Sequence, residues 1–360
     1  MPNEPRFGCG PSLVRPAQLA ALQAAGRTLI GTSHRQPAVR DLVGRIRGGL
    51  INLFQAPDGY EIVLGNGGST AFWDVAAFSL VESQAAALVH GEFGAKFARA
   101  LSAPWLKPAR VFESEPGGCS EFEADATTDV YAYPQNETST GVVVPVGRVA
   151  GADPESLMLT DATSAAGGMW FDATETDCYY FAPQKNFGSD GGLWMAMLSP
   201  AAIERCERIA PSRYIPEFLS LQVALENSRQ NQTLNTPAIA TLVLLAEQID
   251  WMLERGGLSW AASRTSESSQ MIYDWAEAHS LATPFVSDPG KRSPVVVTID
   301  FEASVSAPEL AKALRANGIF DVEPYRKLGR NQLRIATFTA TEKSDVAALL
   351  ACIDFVLERM

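Results

Sequence analysis

Lys185 is the residue whose setting points most clearly to chemistry. It lies in CYYFAPQKNFGSDGG, after an apolar strand-like segment and before a glycine-rich one. Most lysines lie among polar residues on a helix surface, but this apolar strand would deliver the ammonium group to the carboxyl end of a sheet, where α/β proteins bind ligands. Partial desolvation there lowers a lysine pKa and favours the neutral amine, which can condense with a carbonyl group.

Asp161 also lies at the end of an apolar strand-like segment, SLMLTD, as Lys185 follows one. A carboxylate at the end of a strand can simply cap the next turn. On a strand near that of Lys185, it could instead keep a pyridine nitrogen protonated. The charged ring would then act as an electron sink for a carbanion formed at a substrate Cα.

The segment LGNGGSTAFWD closes one predicted strand and opens a helix. Gly67 and Gly68 permit a close approach of the backbone, and the N–H groups of Ser69 and Thr70 would face an anion such as a cofactor phosphate. A plain glycine turn with a Ser/Thr cap is the alternative interpretation. The segment is neither a Walker A motif nor GxGxxG, so ATP and NAD are poorly supported.

Further polar residues stand between apolar segments. Residues 136–138 (Asn, Glu, Thr) form a polar loop that suits either turn hydrogen bonds or ligand contacts. His34 and Arg35 are adjacent and suit an anionic substrate group, which arginine can bind bidentately. Arg334 interrupts the strand-like QLRIATF, where its charge needs a partner. That partner is either a substrate carboxylate or an acidic side chain in a buried ion pair.

Short apolar segments alternate with helical ones through the middle of the chain. This alternation predicts βαβ units and a mainly parallel sheet that is covered on both faces, hence an α/β fold. The predicted strands span residues 61–65, 85–90, 109–113, 129–133, 156–161, 178–182 and 193–198.

The pattern changes after a long helix that is expected to begin at Pro237, with Thr236 as its N-cap, and to end near Gly256-Gly257. Beyond it, helices and strands alternate in a second, shorter series: 258–279, 295–301, 307–318, 332–338 and a closing helix from about 341. We therefore expect a large α/β domain of residues 16–255 and a smaller α+β domain of residues 1–15 and 256–360.

The composition excludes several classes of protein. The 360 residues are 46% hydrophobic and 19% charged, as in a globular enzyme, and the net charge of −12 argues against nucleic-acid binding. Neither a signal peptide nor an apolar run of about 20 residues is present, so no membrane span is expected. Five cysteines without CxxC spacing and only three histidines predict no metal site and a reducing, cytoplasmic location.

Taken together, these segments resemble the phosphoserine aminotransferases, a group within the class V, fold-type I aminotransferases that use pyridoxal 5′-phosphate (PLP). The resemblance extends along nearly the whole chain and is closest to the actinobacterial-type branch. Its most specific part is the spacing of Asp161, the Gln-Lys-Asn segment 184–186 and the glycines that follow. The matching segments are FGCGPSLV, SHR, GNGGST, GEFGAKF, QNETSTG, LTDATSAAGG, FAPQKNFGSDGG, LNTPAIAT and LRIATFTA.

The resemblance implies roles for individual residues. Lys185 would be the Schiff-base lysine and the proton shuttle between the substrate Cα and C4′ of the cofactor, and Asp161 would pair with the pyridinium nitrogen. Phe93 takes the place of an aromatic residue that stacks on the ring. The remaining implied contacts are those of Gly68, Ser69 and Gln184 with the cofactor phosphate, and of Thr138 with the region of the ring oxygen.

Other implied roles concern a homodimer and the substrate. Asn235 and Thr236 would reach the cofactor phosphate of the neighbouring subunit, so that each site is shared across the interface. His34 and Arg35 would contact the substrate phosphate, and Arg334 its α-carboxylate. The implied reaction converts O-phosphoserine and 2-oxoglutarate reversibly into 3-phosphohydroxypyruvate and glutamate, for serine biosynthesis. The related 4-phosphohydroxythreonine of PLP biosynthesis is a second candidate substrate.

The sequence departs from the better-known branch of this family at two places. That branch has an arginine where Ser69 stands, and a His-Arg pair near YRKLGRN, where the cations available here are Arg326, Lys327 and Arg330. The residues that bind the substrate phosphate therefore stay open.

Three alternatives remain. Another class V aminotransferase, such as an alanine–glyoxylate aminotransferase, is the first. The second is a cysteine desulfurase, which needs a nucleophilic cysteine on a mobile loop, whereas Cys352 lies in an apolar helical pattern that predicts a buried, inert thiol. The third, a catalytically silent binding module, is disfavoured because both Lys185 and Asp161 are present.

Overall fold

A seven-stranded sheet forms the centre of the computed structural model, which describes residues 1–360. The chain first contributes β1 (Glu61–Asn66), β2 (Ala85–Val89), β3 (Arg110–Glu113), β4 (Val130–Pro134), the short hairpin β5 (Asn136–Glu137) and β6 (Val142–Val143), β7 (Leu157–Asp161), β8 (Cys178–Phe181) and β9 (Leu193–Leu198). The order in the large sheet is β1-β9-β8-β7-β4-β2-β3. Strands β3, β2, β4, β7 and β8 are parallel, and only β9 pairs antiparallel with its neighbours. The predicted mainly parallel sheet is confirmed.

Helices cover both faces of this sheet, because its strands are apolar on both sides. The helices are α1 (Pro16–Ala25), α2 (Pro37–Phe54), α3 (Ser69–Ser79), α4 (Glu92–Ala100), α5 (Pro200–Ile209), α6 (Leu221–Arg229) and α7 (Ile239–Glu254). One apolar core joins the sheet to α2 and α7 and contains Phe54 and Phe181. The other joins it to α3, α4, α5 and α6 and contains Phe72 and Trp194. The two cores hold the sheet rigid, and the loops at its ends can present polar groups.

The C-terminal part of the chain forms a smaller antiparallel sheet with its own helices. Its elements are α8 (Gly257–Ala278), β10 (Ala282–Pro284), β11 (Val296–Phe301), α9 (Ala307–Ala316), β12 (Gln332–Ala336) and α10 (Lys343–Leu357), with strand order β10-β11-β12. A separate apolar core fills the space between this sheet and its helices. The turn between α7 and α8 contains Gly256 at a φ of +117°. The domain boundary near residue 255 stays a prediction.

Residues 7–12, here called the N-terminal strap, connect the two sheets. At one end, Phe7 donates its N–H to the carbonyl of Phe320 (3.1 Å) and accepts from the N–H of Ala336 (2.9 Å), which joins it to the small sheet. At the other end, Ser12 donates its N–H to the carbonyl of Gln184 (2.9 Å) and its hydroxyl to the carbonyl of Lys185. The strap therefore fixes the loop that follows β8.

The predicted start of the long helix at Pro237 is wrong. Helix α7 begins at Ile239 after Ala238, and no side chain caps it. Thr236 does not act as the N-cap because its hydroxyl interacts with Nδ1 of His34 (3.1 Å) and its carbonyl accepts from Asn66 (3.2 Å). These contacts hold residue 236 in the loop that precedes the helix.

The prediction of a buried thiol at Cys352 is also wrong. Cys352 lies in α10 as expected, but on its partly exposed face, where its sulfur is 3.7 Å from the sulfur of Met1. Its position within a helix, away from any mobile loop, disfavours a desulfurase. None of the helices combines the length and the apolar character that a bilayer crossing requires.

Candidate active site

A cavity opens at the carboxyl ends of β4, β7 and β8. Ligands of α/β proteins bind at this edge of the sheet. The side chains that line it come from α3, α4, the β4–β5 segment and the loops after β7 and β8. They are Gly68, Ser69, Thr70, Trp73, Phe93, Pro134, Asn136, Thr138, Asp161, Thr163, Gln184 and Lys185.

Lys185 enters the cavity from the loop after β8. Its Nζ donates to the backbone carbonyl of Cys9 in the N-terminal strap. Burial is the main cause that lowers the pKa of Lys185 to about 8, and the positive charge of Arg334 acts in the same direction, whereas the carboxylates of Asp161 and Glu137 oppose it. A substantial fraction of the amine is therefore neutral near physiological pH and able to act as a nucleophile or a base.

Asp161 reaches the same cavity from the end of β7, and four hydrogen bonds hold its carboxylate. The indole N–H of Trp73 (3.1 Å) and the hydroxyl of Tyr180 (2.9 Å) donate to Oδ2, while the N–H (2.9 Å) and hydroxyl (2.5 Å) of Thr163 donate to Oδ1. Donors on both oxygens stabilise the charged form. Trp73, Thr163 and Tyr180 were not singled out in the sequence, although Trp73 and Thr163 stand inside the GNGGST and LTDATS segments.

An anion can bind at the wall of the cavity where α3 begins. Its N-cap, Gly68, carries no side chain, so the first N–H groups of the helix have no intrahelical partner and face the cavity rim. The hydroxyl oxygens of Ser69 and Thr163 are 2.6 Å apart, within hydrogen-bond distance. The side-chain oxygen of Gln184 is buried without a partner. The free N–H groups suit a phosphate, whereas the Gln184 oxygen is an acceptor and needs a donor from a ligand.

Polar groups of β5 and of the turn that follows it line another side of the cavity. The hydroxyl of Thr138 and the side-chain amide of Asn136 both donate to the hydroxyl oxygen of Ser164 (2.8 Å each). Phe93, in the first turn of α4, lines the facing side, and its ring centroid is 6.0 Å from that of Tyr325. The aromatic ring and the polar strand thus bound a space in which a flat heterocycle fits.

Arg334 approaches from the small sheet. Its Nη1 donates to the carbonyl of Thr138 (2.9 Å), its Nε is buried without a partner, and its guanidinium lies over the ring of Tyr325 (5.3 Å). No carboxylate lies within ion-pair distance of Arg334, so the alternative of a buried ion pair with an acidic residue is wrong. An arginine left without a counter-charge beside a cavity suits an anionic ligand.

Four other predicted site residues lie outside this cavity and form a second group. His34 contacts Thr236, Asn66 donates to the Thr236 carbonyl, and the Arg35 guanidinium donates to Gln232 (2.7 Å). Asn235 and Thr236 are exposed, and Nε2 of His34 has no partner. Burial, followed by the charge of Arg35, lowers the pKa of His34. We refer to His34, Arg35, Asn235 and Thr236 as the outer cluster.

The cavity fits PLP by the chemistry of its donors. The Lys185 amine, with its lowered pKa, can react with the aldehyde of PLP, and the Asp161 carboxylate can pair with the pyridinium nitrogen. The free N–H groups at the start of α3 can bind the phosphate. The unpartnered oxygen of Gln184 shows that the polar set is incomplete without a ligand.

Comparison with known proteins agrees with this chemistry. The model of the "Aminotransferase class-V" family matches residues 14–320. A protein of Mycolicibacterium vanbaalenii named "Putative phosphoserine aminotransferase" is 60% identical over 361 residues, which cover 100% of this chain and 97% of that protein. A phosphoserine aminotransferase of Nocardioides sp. is 54% identical over 363 residues, which cover 100% and 97%.

Solved structures give the same result. The crystal structure of a phosphoserine aminotransferase from Cytophaga hutchinsonii superposes with a TM-score of 0.89, at 25% identity and with 99% of each chain covered. The predicted fold class and the resemblance to actinobacterial relatives are confirmed, and with them the dependence on PLP. The chain therefore belongs to the class V aminotransferases, a family of PLP-dependent enzymes.

Proposed function

We propose that the protein transfers the amino group of O-phosphoserine to 2-oxoglutarate and gives 3-phosphohydroxypyruvate and glutamate, in a reversible reaction that serves serine biosynthesis. The observation that supports it most is a reactive amine in the cavity, that of Lys185, with an arginine near it, Arg334, that has no carboxylate partner. The names of relatives that are 60% and 54% identical favour phosphoserine as the amino donor.

The residues of the chain would divide the chemistry among them. Bound PLP supplies an electron sink for the electron pair left on the substrate Cα when its proton is removed. Asp161, held by four donors, would keep a positive charge on the pyridine nitrogen. Lys185, with a pKa of about 8, would hold the cofactor and take the proton from Cα.

Arg334 would orient the substrate through its α-carboxylate. Its guanidinium has one hydrogen bond to a backbone carbonyl and retains further N–H groups for a ligand. Both O-phosphoserine and 2-oxoglutarate carry a carboxylate next to the reacting carbon. One arginine can therefore serve the two half-reactions.

The loop of residues 325–331 contains three cationic side chains that could bind the substrate phosphate. Their contacts within the chain show which of them is free to do so. Lys327 contacts Glu92, and Arg330 binds Asp300 and lies over Phe285 (4.5 Å). Arg326 is exposed and forms neither an ion pair nor a side-chain hydrogen bond. We therefore favour Arg326 as the phosphate ligand from this loop.

The outer cluster supports a homodimer with shared sites. Asn235 and Thr236 are exposed, contact Asn66 and do not line the cavity of their own chain, so their side chains are free to meet a second copy. In a twofold dimer, each copy would place its outer cluster at the cavity of the other. His34 and Arg35 would then add positive charge for the substrate phosphate. All five cysteines are free thiols, which fits a cytoplasmic location.

A paired assay tests the substrate. The holoenzyme is given O-phosphoserine or serine with 2-oxoglutarate, and glutamate is measured. We expect kcat/KM for the phosphorylated donor to be higher by at least about a hundredfold, since two charge-assisted contacts to a phosphate contribute about 3 kcal/mol. Equal turnover of serine, or a preference for alanine with glyoxylate, would refute the assignment and leave the PLP chemistry intact.

A variant of Arg326 tests whether this residue binds the substrate phosphate. Arg326→Gln is expected to reduce the preference for O-phosphoserine over serine by about tenfold, because one charge-assisted contact to the phosphate is lost. Arg208→Gln removes an exposed arginine that pairs with Glu82 and serves as the matched control. 4-Phosphohydroxythreonine, with the same amino-acid and phosphate groups, is expected to be a donor for the holoenzyme and to lose the same factor in Arg326→Gln.

A further inference from the structure

A carboxylate next to the cavity, that of Glu137, has no part in the chemistry proposed above. Its side chain is fully buried, and no lysine, arginine or histidine lies within ion-pair distance of it. An ionised carboxylate in such a place is costly unless hydrogen bonds replace its hydration. For Glu137, the donors that surround the carboxylate supply these hydrogen bonds.

All the hydrogen bonds of Glu137 come from donors at the start of α4 and in the adjacent turn. Oε2 accepts from the N–H of Gly94 (2.9 Å), and Oε1 accepts from the N–H of Phe93 (3.4 Å) and from the N–H (3.1 Å) and hydroxyl (2.6 Å) of Ser139. The Ser139 hydroxyl in turn accepts from the N–H of Glu92 (3.1 Å). Because only donors face it, the carboxylate fits this place in its ionised form, although burial raises its pKa.

These contacts replace the usual N-cap of α4. The residue at that position, Gly91, has no side chain, so the first three N–H groups of the helix depend on Glu137 and Ser139. A Cβ atom on Gly91 would lie 2.3 Å from Ser139 Oγ and 2.8 Å from Glu137 Cγ. The glycine is therefore required for the close approach. A negative charge at this helix end is further stabilised by the helix dipole.

Phe93 and Thr138 are the neighbours through which Glu137 can act on the cofactor. Phe93 stands in the first turn of α4 and lines the cavity, while Thr138 follows Glu137 directly and lines the same cavity. Thr138, in the turn after β5, lines the cavity, whereas the Glu137 carboxylate accepts from the start of α4. The hydrogen bond to the Phe93 N–H connects Glu137 to the residue that carries the aromatic ring.

We propose that Glu137 is a positioning residue that fixes the first turn of α4 and thereby holds the Phe93 ring against the face of the bound cofactor. In its absence the turn loses its cap, and the ring loses its fixed place. The inference goes beyond the proposed function, because it concerns cofactor binding and holds for any amino donor.

A double-mutant cycle on the dissociation constant of PLP tests this. PLP is titrated into the apoenzyme and followed by its visible absorbance and circular dichroism. Glu137→Gln keeps the size of the side chain but directs an NH₂ group at backbone donors. We expect it to weaken PLP binding by about tenfold, the effect of one lost charged hydrogen bond, and by less than about twofold when Phe93→Leu has already removed the ring.

Amide hydrogen exchange of residues 92–94 in the apoenzyme gives a second readout that is independent of activity. Glu137→Gln is expected to accelerate exchange at Phe93 and Gly94 by at least about tenfold, since both N–H groups lose their acceptor. Glu92→Gln is the matched control. It removes a carboxylate from the same helix turn, but this carboxylate pairs with Lys96 and accepts no backbone N–H, so exchange at the two amides should not change.

Three results would overturn the proposal. They are unchanged PLP affinity in Glu137→Gln, the same loss of affinity with and without the Phe93 ring, and unchanged exchange at residues 93 and 94. If Glu137→Gln does not fold, Ser139→Ala takes its place in the cycle. That variant keeps the carboxylate but removes one of its donors, so a loss of about threefold is expected.

Discussion

At the scale of single residues, the environment of Asp161 determines what the site can do. Burial, together with the charge of Asp161, raises the pKa of Tyr180 well above its usual value. The Tyr180 hydroxyl therefore remains protonated and always donates to the carboxylate. With Trp73 and Thr163, which also only donate to it here, Tyr180 holds the Asp161 carboxylate in one orientation.

The lowered pKa of Lys185 leads to a prediction on pH. Below its pKa of about 8 the amine is protonated and cannot attack the aldehyde of PLP, and above it the neutral amine predominates. The rate at which PLP becomes bound to the apoenzyme should therefore rise with pH and level off above about 8. Stopped-flow absorbance over pH 6 to 10 measures it.

The control for this experiment is Lys185→Ala, which should show no such absorbance change at any pH. A midpoint near the ordinary lysine pKa, above 10, would contradict the prediction, because the amine would then not be desolvated. A rate independent of pH would contradict it as well.

The residues with chemistry could be predicted from the sequence, but not those that hold them. Asp161 ends an apolar strand and Lys185 lies in the loop after another, positions that indicate function in an α/β protein. Trp73 and Tyr180 look like ordinary core residues in the sequence, because one lies within a helix and the other within an apolar strand. Their contacts with Asp161 depend on how α3 packs on the sheet, and no spacing in the chain reports this.

At the scale of elements, the N-terminal strap is the part of the fold that the local sequence pattern predicts least well. It is too short to be predicted as a strand, yet it adds to the small sheet at Phe7 and covers Lys185 at Cys9 and Gly10. Gly10 has a φ of +125°, and a Cβ atom built on it would lie 2.1 Å from Nζ of Lys185. Only glycine allows the backbone to pass so close to the amine.

A substitution at Gly10 tests this close approach. Gly10→Ala should weaken PLP binding by at least about tenfold, because an added methyl group in a packed site costs about 1–3 kcal/mol. Gly318→Ala is the matched control, since Gly318 also has a positive φ (+85°) but a Cβ there would meet nothing within 4 Å. Equal effects of the two variants on PLP affinity would show that backbone strain alone is responsible.

The ends of helices and the directions of strands were predicted less well than the presence of these elements. The start of α7 was placed two residues early because Thr-Pro resembles an N-cap followed by a first helical residue, while the Thr236 side chain is engaged by His34 in the folded chain. The reversed direction of β9 also escaped prediction, since LWMAML is as apolar as a parallel strand buried on both faces.

At the scale of the whole molecule, the outer cluster predicts a shared active site that can be tested by complementation. Lys185→Ala should be inactive because it lacks the amine, and Asn235→Ala/Thr236→Ala because it lacks contacts to the partner's cofactor. Mixed dimers of the two would contain one intact site. After subunit exchange in an equal mixture, we expect about a quarter of the wild-type activity, as a twofold dimer requires.

The controls for this experiment are the separate variants and a mixture of Lys185→Ala with itself, each carried through the same exchange. Recovery is measured as glutamate formed, and the oligomeric state by sedimentation. A monomeric protein, or a mixture that stays inactive although mixed dimers are present, would contradict the prediction.

The N-terminal strap also has a consequence for synthesis on the ribosome. Its partners Phe320 and Ala336 are translated long after it, and the backbone N–H of Asn3, which precedes the strap, donates to Asp345 (2.6 Å). A nascent chain that has not reached these residues has nothing to anchor the segment that covers Lys185. The large sheet can form early, but the cofactor pocket receives its cover only after residue 336 has been synthesised.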